Sequence, residues 1–258
     1  MGATPAWKIL TLDTVDSTQL ELERRIAAGA SARTVVVAAN QTAGRGRQGR
    51  VWLSPSGGLW FSLVIDRCTP PEPILGLLMA TSCVAATRSE LATDGAERLR
   101  IKWPNDLIID DRKWGGVLTD CRPLANSGTR YVCGVGLNLQ SAPRDLPPTA
   151  LPATSLRTEF GQSPSPDRLL SRILARFDEI LAVDDQRGRA HTIEQIVPLV
   201  ATIGRSVSWS ESRPTEPKAA ERQGLAVGLG LDGALEIEHP NASRTAIRVS
   251  EVQHVRTN

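Results

Sequence analysis

Residues 98–121 read RLRIKWPNDLIIDDRKWGGVLTDC, and the main features of the fold can be predicted outward from this segment. Apolar and polar side chains alternate over residues 98–103, as they do in a half-buried β-strand. Pro104 breaks this first strand at a rigid corner. After a short strand at residues 107–109, a polar turn leads into a third strand at residues 113–121. The segment therefore predicts consecutive β-strands joined by tight turns.

Strands alternate with helices through most of the chain. Further strands are predicted at residues 8–12, 34–39, 59–65 and 131–139, and helices at residues 16–29, 74–91 and 165–183, the first of them opened by a capping box of Asp16 and Gln19. A proline-rich surface connection is expected at residues 143–166. Beyond Gly204 the pattern changes to short strands with turns, including the hairpin signal Asp232-Gly233. We therefore predict an α+β domain at residues 1–203 and a small β-barrel at residues 204–258.

The balance of charge excludes some classes of protein. The chain has 258 residues, with 30 Lys and Arg against 28 Asp and Glu and a formal net charge of +2, which is not the charge of a polybasic binder of nucleic acid or membranes. It has no apolar run of 18 residues, and its start, MGATPAWKIL, lacks the pattern of a secretory signal. The cysteines and histidines have no metal-ligand spacing, so no metal site is predicted. Cys83, Cys121 and Cys133 are expected to be buried thiols of a cytoplasmic protein.

A loop of glycine and arginine, GRGRQGR, occupies residues 44–50 and follows a predicted strand. It matches the dinucleotide-binding pattern G-x-G-x-x-G, but the next residues, VWLSPSGG, cannot open the helix that this fold requires, and a Walker lysine is absent. Glycine lets the backbone approach a ligand closely, and arginine supplies forked donors for phosphate oxygens. The loop is therefore a candidate to close over a polyanion. The alternatives are a solvated basic turn and an RNA-binding arginine-glycine patch.

The corner KWPND at residues 102–106 places two polar side chains at the end of a strand. Because Pro104 fixes the turn, Asn105 and Asp106 are predicted to occupy one place at the end of the sheet. An Asp there can orient a magnesium-bound phosphate or accept a proton from an amine nucleophile. The alternative is an Asx turn, in which both side chains only cap their own backbone.

Two of the predicted strands carry glycine on one face. Period-two alternation predicts these faces to be Lys113, Gly115 and Val117 on one strand, and Gly134, Gly136 and Asn138 on the other. Glycine weakens a strand interior and often marks the close approach of a ligand. A lysine beside missing side chains therefore predicts a pocket for a carboxylate or a phosphate. Bulged or tightly packed strands are the alternative.

Together these motifs resemble those of the biotin protein ligase family. The likeness is carried by Asp16-Ser17-Thr18, Gln41-Thr42-Ala43 before GRGRQGR, KWPND, Asp111-Arg112-Lys113 before WGGVL, GVGLNL at residues 134–139, and Ala153-Thr154-Ser155-Leu156. The resemblance implies a class II synthetase-like domain, with a mixed or antiparallel sheet flanked by helices, and an SH3-like C-terminal barrel. It also implies the short, monofunctional type of ligase, without an N-terminal DNA-binding domain.

The resemblance implies an activity and partners as well. ATP, with Mg²⁺, would adenylate biotin with loss of pyrophosphate. The biotinyl-5′-AMP would then react with a specific lysine of a biotin carboxyl carrier protein or domain of a biotin-dependent carboxylase. No DNA or membrane partner is expected, and the chain would be a monomer or a weak homodimer. The alternatives are a lipoate or octanoate ligase, which also modifies a carrier lysine, and a non-catalytic nucleic-acid-binding regulator.

Site residues follow from the same resemblance, position by position. Lys113, Asp106 and Arg47 would be catalytic, and no residue is predicted to be a dedicated metal ligand. The biotin-binding residues would be Ser17, Thr18, Gln19, Gln41, Arg45, Gly46, Arg47, Lys113 and Gly115. The nucleotide-binding residues would be Arg45, Arg47, Arg50, Trp52, Lys102, Asn105 and Asn138. The sequence departs from the family pattern at Gln19, where Asn is usual, at Asn40, where an acidic residue is common, and at Trp114, where a smaller aliphatic residue is usual.

The resemblance also implies roles for these residues. Lys113 would contact the biotin carboxylate and the charge that develops at phosphorus. Asp106 would help to position Mg²⁺ or the incoming lysine amine, and the arginine loop would exclude water from the intermediate. Four of the six tryptophans lie between residues 52 and 114, and their rings are expected to surround this site.

Overall fold

The computed structural model describes residues 6–69, 72–125, 128–144, 146, 151–209, 222–248 and 252–255. Its strands are β1 (Lys8–Val15), β2 (Thr34–Gln41), β3 (Leu59–Arg67), β4 (Leu99–Lys102), β5 (Asp106–Ile109), β6 (Arg112–Pro123), β7 (Thr129–Leu137), β8 (Ser206–Trp209), β9 (Arg222–Leu229), β10 (Leu235–Glu238), β11 (Arg244–Ile247) and β12 (Val252–His254). Its α-helices are α1 (Thr18–Ala27), α2 (Leu75–Leu91), α3 (Leu156–Phe160), α4 (Pro166–Arg187) and α5 (Arg189–Ile196). Every strand and helix predicted up to residue 183 is present, with ends that differ by a few residues.

The first seven strands form one mixed sheet in the order β1-β2-β3-β7-β6-β5-β4. β1 and β2 are parallel, since α1 crosses from the end of one strand to the start of the other. The remaining neighbours are antiparallel. This arrangement confirms the predicted mixed sheet with flanking helices, and it places KWPND at the turn between β4 and β5.

The two faces of this sheet are covered differently. One face, which includes Val135 and Leu137, packs against α2 and belongs to the main hydrophobic core, to which α4 and α5 also contribute. The other face is covered by α1 at one end, where Leu22 packs on Val36 and Val132. Beside that small cluster the sheet carries glycines in place of large side chains. These glycines let side chains from other elements lie close to the strands on this second face.

The first turn of α1 differs from the predicted capping box. Ser17, not Asp16, is the N-cap residue, and its side chain makes no capping hydrogen bond. The Asp16 carboxylate instead accepts hydrogen bonds of 2.7 Å from the Ser17 backbone N–H and from Arg24. The hydrogen bond from the Arg24 guanidinium lowers the pKa of Asp16 to about 2. Gln19 turns toward the sheet, where it donates to Asp120 of β6.

The helix α4 begins as predicted and ends later. Ser165 is its N-cap and accepts a hydrogen bond of 3.4 Å from the Arg168 N–H, while Pro166 occupies the first turn. The helix runs to Arg187, about one turn beyond the predicted end. Two helices were not predicted: α3, which lies within the expected surface connection, and α5, which follows Gly188.

The last five strands form a second, antiparallel sheet in the order β11-β10-β9-β8-β12, as expected for a small C-terminal β domain. The predicted hairpin at Asp232-Gly233 is confirmed. The Gly230 N–H donates to the Ala234 carbonyl at 2.9 Å, and Gly233 adopts a φ of 81°, which favours glycine.

The cysteines are only partly as predicted. Cys83 and Cys133 are buried, and burial raises the pKa of the Cys133 thiol to about 12. The prediction of a buried Cys121 is wrong, because the last three residues of β6, residues 121–123, are exposed. Within the part of the chain that the structure describes, no helix is both long and apolar enough to cross a membrane.

Candidate active site

Three glycines form a floor on the same face of the sheet as α1: Gly116 of β6, and Gly134 and Gly136 of β7. A Cβ atom on Gly136 would lie 2.5 Å from the Trp52 ring, which is closer than atoms can approach. A Cβ on Gly116 would lie 3.4 Å from both the Trp52 ring and the Lys113 side chain. Glycine at these positions therefore lets Trp52 and Lys113 lie close to the backbone of the sheet. The predicted glycine face of β7 is confirmed.

A bulge in β6 corrects the predicted glycine face of that strand. The register with β5 shifts at Trp114, which has no partner in the β5–β6 ladder. Alternation therefore restarts after the bulge, and Gly116 rather than Gly115 shares a face with Lys113. A Cβ on Gly115 would meet the Leu137 side chain at 2.7 Å, on the core side of the sheet. The prediction that Lys113 and Gly115 share a face is wrong, and so is the placement of Gly115 on the ligand side.

Lys113 and Asp106 form an ion pair on this floor. Nζ of Lys113 lies 2.5 Å from Oδ1 of Asp106, and the two side chains are only 27% and 22% exposed. The same ammonium group lies 5.2 Å from the centroid of the Trp52 ring, within range of a cation–π contact. Lys113 is thus a partly buried cation, held by one carboxylate, that can receive the carboxylate or phosphate of a ligand.

The arginine loop (residues 44–50) folds into a tight hairpin that is fastened to the KWPND corner. The Gly46 N–H donates to the Arg50 carbonyl at 2.8 Å. Nη1 of Arg47 donates to Oδ1 of Asn105 at 3.0 Å, and Nδ2 of Asn105 donates to the Val117 carbonyl at 2.8 Å. The Asn105 side chain therefore connects the loop to β6 and is not used to cap its own turn, which rules out the Asx-turn alternative for this residue.

Polar side chains gather where α1 begins. Oε1 of Gln41 accepts hydrogen bonds from the Thr18 N–H at 2.8 Å and from the Thr18 hydroxyl at 3.2 Å. The Thr18 hydroxyl also lies 2.8 Å from that of Ser62, and Nε2 of Gln41 donates to the Ser54 hydroxyl at 2.8 Å. Ser17 lies next to this group and is 1% exposed. The predicted residues Ser17, Thr18 and Gln41 are therefore brought together, with Ser54 and Ser62 added to them.

The segment 152–156 closes the site at the start of β6. Lys113 N–H donates to the Pro152 carbonyl at 2.7 Å, and Thr154 N–H donates to the Lys113 carbonyl at 2.9 Å. Asn138 follows β7, and its Nδ2 donates to the Thr154 carbonyl at 3.1 Å. Oδ1 of Asn138 is buried and has no hydrogen-bond partner among the described residues. A ligand that donates a hydrogen bond would satisfy this oxygen.

The four tryptophans between residues 52 and 114 do not all surround the site. Trp52 and Trp60 meet edge to face on the site side, with ring centroids 6.3 Å apart. Trp103 and Trp114 are buried in the main core instead. Trp103 follows β4 directly and is buried, and its indole N–H donates to the Gly233 carbonyl at 3.0 Å. The expectation for these two rings is therefore wrong.

Three further predicted residues lie at the edges of the site. Arg45 and Arg50 are exposed on the arginine loop. Lys102 lies opposite Asp106 in the backbone register of β4 and β5. The sequence offered no motif for Ser62 or Asp120, and Gly116, although it lies in WGGVL, was not predicted to be a site residue. The available signal for Ser62 was a single polar residue inside the apolar strand LWFSLVI.

Comparisons with known proteins agree on one family. The model of the Biotin/lipoate A/B protein ligase family matches residues 12–138. The biotin–[acetyl-CoA-carboxylase] ligase of Paracoccus denitrificans is 32% identical over 245 residues, which cover 92% of this chain and 96% of that protein. The structure of the biotin protein ligase of Aquifex aeolicus in complex with biotin and ATP is similar, with a TM-score of 0.77 and 26% identity, over 96% of this chain and 99% of that chain. The biotin protein ligase of Leishmania major in complex with biotinyl-5-AMP has a TM-score of 0.64 and 27% identity, over 94% and 99% of the two chains.

The likeness to the Paracoccus protein extends over nearly the whole of both chains. The motifs at Thr18, in the arginine loop, at KWPND and at Lys113 converge on one face of a sheet whose fold is shared with solved ligases. The chain belongs to the biotin/lipoate A/B protein ligase family, and within it to the biotin protein ligases.

Proposed function

We propose that this chain activates biotin with ATP and transfers it to a lysine of a carrier protein. The observation that carries the proposal is the ion pair of Lys113 and Asp106 on the glycine floor, with the arginine loop fastened beside it through Asn105. This arrangement provides a cation for a carboxylate, the aromatic ring of Trp52 beside the glycine strands, and arginines for a triphosphate.

The proposed reaction has two steps. A carboxylate oxygen of biotin first attacks the α-phosphorus of ATP, so that an O–P bond forms while the bond to pyrophosphate breaks. The lysine amine of the carrier then attacks the acyl carbon, an amide bond forms, and AMP leaves with the electrons of the acyl–oxygen bond. Lys113 stabilises the charge that develops in the first step, and Asp106 can accept the amine proton in the second.

The fastened arginine loop can shield the intermediate of this reaction from water. A mixed anhydride of a carboxylic acid and AMP reacts with water as well as with amines, so the intermediate must be shielded until the carrier arrives. The hydrogen bond from Arg47 to Asn105 keeps the hairpin against the corner that holds Asp106. We therefore assign shielding, as well as binding of phosphate, to Arg47.

The polar group at the start of α1 suits biotin, and the region of Trp52 and Asn138 suits the adenine of ATP. We assign the ureido ring of biotin to the polar group of Ser17, Thr18 and Gln41, where buried donors and acceptors are close together. We assign the adenine to Trp52, which offers a ring face, and to Asn138, whose buried Oδ1 can accept from the adenine amino group. Arg45, Arg50 and Lys102 are assigned to the phosphates.

The donor set fits Mg²⁺ only as an ion carried by the nucleotide. Within the described ranges, no three His, Cys, Asp or Glu side chains are grouped so that they could hold a metal ion. Mg²⁺ is commonly held by phosphate oxygens and water with one or two carboxylates, and Asp106 is the carboxylate in position here. The bound ion would neutralise charge on the triphosphate.

The proposed carrier is the biotin carboxyl carrier protein of acetyl-CoA carboxylase, as the name of the Paracoccus relative suggests. We further propose that the chain acts as a monomer or weak homodimer, and that residues 204–258, which include the second sheet, form a separate domain. The four free cysteines favour a reducing compartment such as the cytoplasm.

A pyrophosphate-release assay tests the proposal. The chain should release pyrophosphate from ATP only when biotin is present, and it should then label a carrier domain that streptavidin detects. Release without biotin, or labelling of the carrier with lipoate in place of biotin, would contradict the proposal. Nucleic-acid binding without pyrophosphate release would support a regulator instead.

A further inference from the structure

A hydrogen bond between α1 and β6 lies beside the substrate floor, and the reaction described above gives it no role. Nε2 of Gln19 donates to Oδ2 of Asp120 at 2.6 Å. Gln19 is only 2% exposed, and its amide oxygen lies 2.7 Å from the place where a Cβ on Gly134 would stand. Gly134 therefore leaves room for this amide to lie directly on the sheet.

The partner of Gln19 determines which way its amide points. An ionised carboxylate can only accept hydrogen bonds, so the amide nitrogen must face Asp120 and the oxygen must face away from it. The Ser62 hydroxyl lies on the side of the oxygen, 3.4 Å from the same Cβ position on Gly134. The Gln19 oxygen and Ser62 therefore converge next to Thr18, which contacts Ser62 at 2.8 Å.

The hydrogen bonds around Thr18 make this place a site of acceptors. The Thr18 and Ser62 hydroxyls lie 2.8 Å apart, and whichever of the two donates, the Ser62 oxygen keeps at least one lone pair. That lone pair and the oxygen of Gln19 remain available as acceptors. Two buried acceptors at one place suit a ligand group that donates through N–H.

We infer that Asp120 is a positioning residue that sets substrate specificity: it holds the Gln19 amide so that its oxygen accepts an N–H of the ureido ring of biotin. The inference rests on the proposed function, because it assigns a role within the same site. Lipoate has a carboxylate on a comparable chain but no ring N–H. Binding of lipoate would bury the Gln19 oxygen without a donor, and this loss disfavours it.

A second contact between the same helix and the same strand offers a matched control. Oε1 of Glu23, one turn along α1 from Gln19, lies 3.2 Å from Nη2 of Arg122, the next residue on the same face of β6 as Asp120. If the bond from Gln19 to Asp120 only fastens α1 to the sheet, breaking either contact should have the same effect on the enzyme.

The experiment compares Asp120→Asn, Gln19→Met and Arg122→Gln in the full chain. In Asp120→Asn either half of the new amide can face Gln19, so the orientation is lost while the shape is kept. We expect the KM for biotin in pyrophosphate release to rise about tenfold in the first two variants, with kcat and the KM for ATP within about twofold of wild type. Arg122→Gln should keep the wild-type KM. The ratio of the lipoate Kd to the biotin Kd, from calorimetric titration, should fall about tenfold in the first two variants.

Two results would overturn the inference. Equal rises in KM for Asp120→Asn and Arg122→Gln would show that the bond only fastens the helix. An unchanged KM in Gln19→Met would show that this amide does not meet the substrate, and this variant decides the question if Asp120→Asn fails to fold. A wild-type chain that releases no pyrophosphate with biotin would contradict the proposed function, which is a different outcome.

Discussion

Lys113 is the residue on which the proposed chemistry depends most directly. Without its ammonium group, the Asp106 carboxylate would face an incoming carboxylate with no cation between them. We expect Lys113→Ala to lower kcat/KM for biotin-dependent pyrophosphate release by about 10²- to 10³-fold. Lys8→Ala, which removes an exposed lysine from β1, should stay within about twofold of wild type. A Lys113→Ala variant as active as Lys8→Ala would contradict the role assigned here.

Substitution of Gly136 tests whether ligand binding depends on the glycine floor. A Cβ at this position would lie 2.5 Å from the Trp52 ring, so the ring must leave its place. We expect Gly136→Ala to weaken binding of both biotin and ATP by about tenfold, with a loss of unfolding free energy of about 1–3 kcal/mol. Calorimetric titration and urea denaturation measure the two effects.

The control for this substitution is Gly228→Ala in the second sheet. A Cβ there would lie 3.3 Å from a carboxylate oxygen of Glu236, a flexible side chain that can move aside. Affinities should be unchanged in this variant. Tight binding by Gly136→Ala would show that ligands do not use the floor.

At the scale of single residues, the sequence predicts side chains that belong to local motifs and misses those that depend on strand pairing. Lys113 and Asp106 were predicted, and they meet. Gly115 was assigned in place of Gly116 because the bulge at Trp114 becomes visible only when β5 and β6 are paired. Asp120 reaches Gln19 from a strand about a hundred residues away along the chain, so no local pattern connects them.

The arginine loop is the element to which we assign the shielding of the intermediate. A hydrogen bond from Arg47 to Asn105 fastens it to the KWPND corner. We expect Arg47→Gln to loosen the hairpin, so that the ratio of released biotinyl-5′-AMP to carrier-bound biotin rises about tenfold. Quenched reactions analysed by chromatography give this ratio. Arg25→Gln, on the exposed face of α1, should leave it unchanged. An unchanged ratio in Arg47→Gln would show that the loop does not shield the intermediate.

At the scale of elements, the regular alternation of polar and apolar residues made the strands of residues 98–121 predictable, whereas the short helices were not predicted. α5 buries only three residues, Thr192, Ile193 and Ile196, and eight residues are too few for a clear helical period. The start of α1 was misplaced because Asp16 and Gln19 fit a capping box in sequence. In the structure Arg24 and Asp120 compete successfully for these two side chains.

At the scale of the whole molecule, the second sheet is connected to the KWPND corner through Thr202. The Thr202 hydroxyl accepts a hydrogen bond of 3.0 Å from the backbone N–H of Trp103, and it lies 3.1 Å from Nε2 of His254 in β12. Nδ1 of His254 lies 3.1 Å from Arg205, which also bonds to Asp111 of the β5–β6 turn. These contacts join β12 to the strands that hold the ion pair of Lys113 and Asp106.

A fall in pH is predicted to weaken the contacts that His254 makes with Thr202 and Arg205. Burial, together with the nearby charges of Arg205 and Lys102, lowers the pKa of His254 from 6.5 to about 4, against a smaller opposing effect of Asp111. Between these values the folded chain binds fewer protons than the unfolded chain, so the contribution of His254 to the unfolding free energy is present above pH 6.5 and declines toward about pH 4. Urea denaturation of wild type and His254→Gln at several pH values isolates this contribution, because the other titrating groups are common to both. The wild-type advantage should shrink as the pH falls through this range, and a constant difference would show that His254 titrates normally.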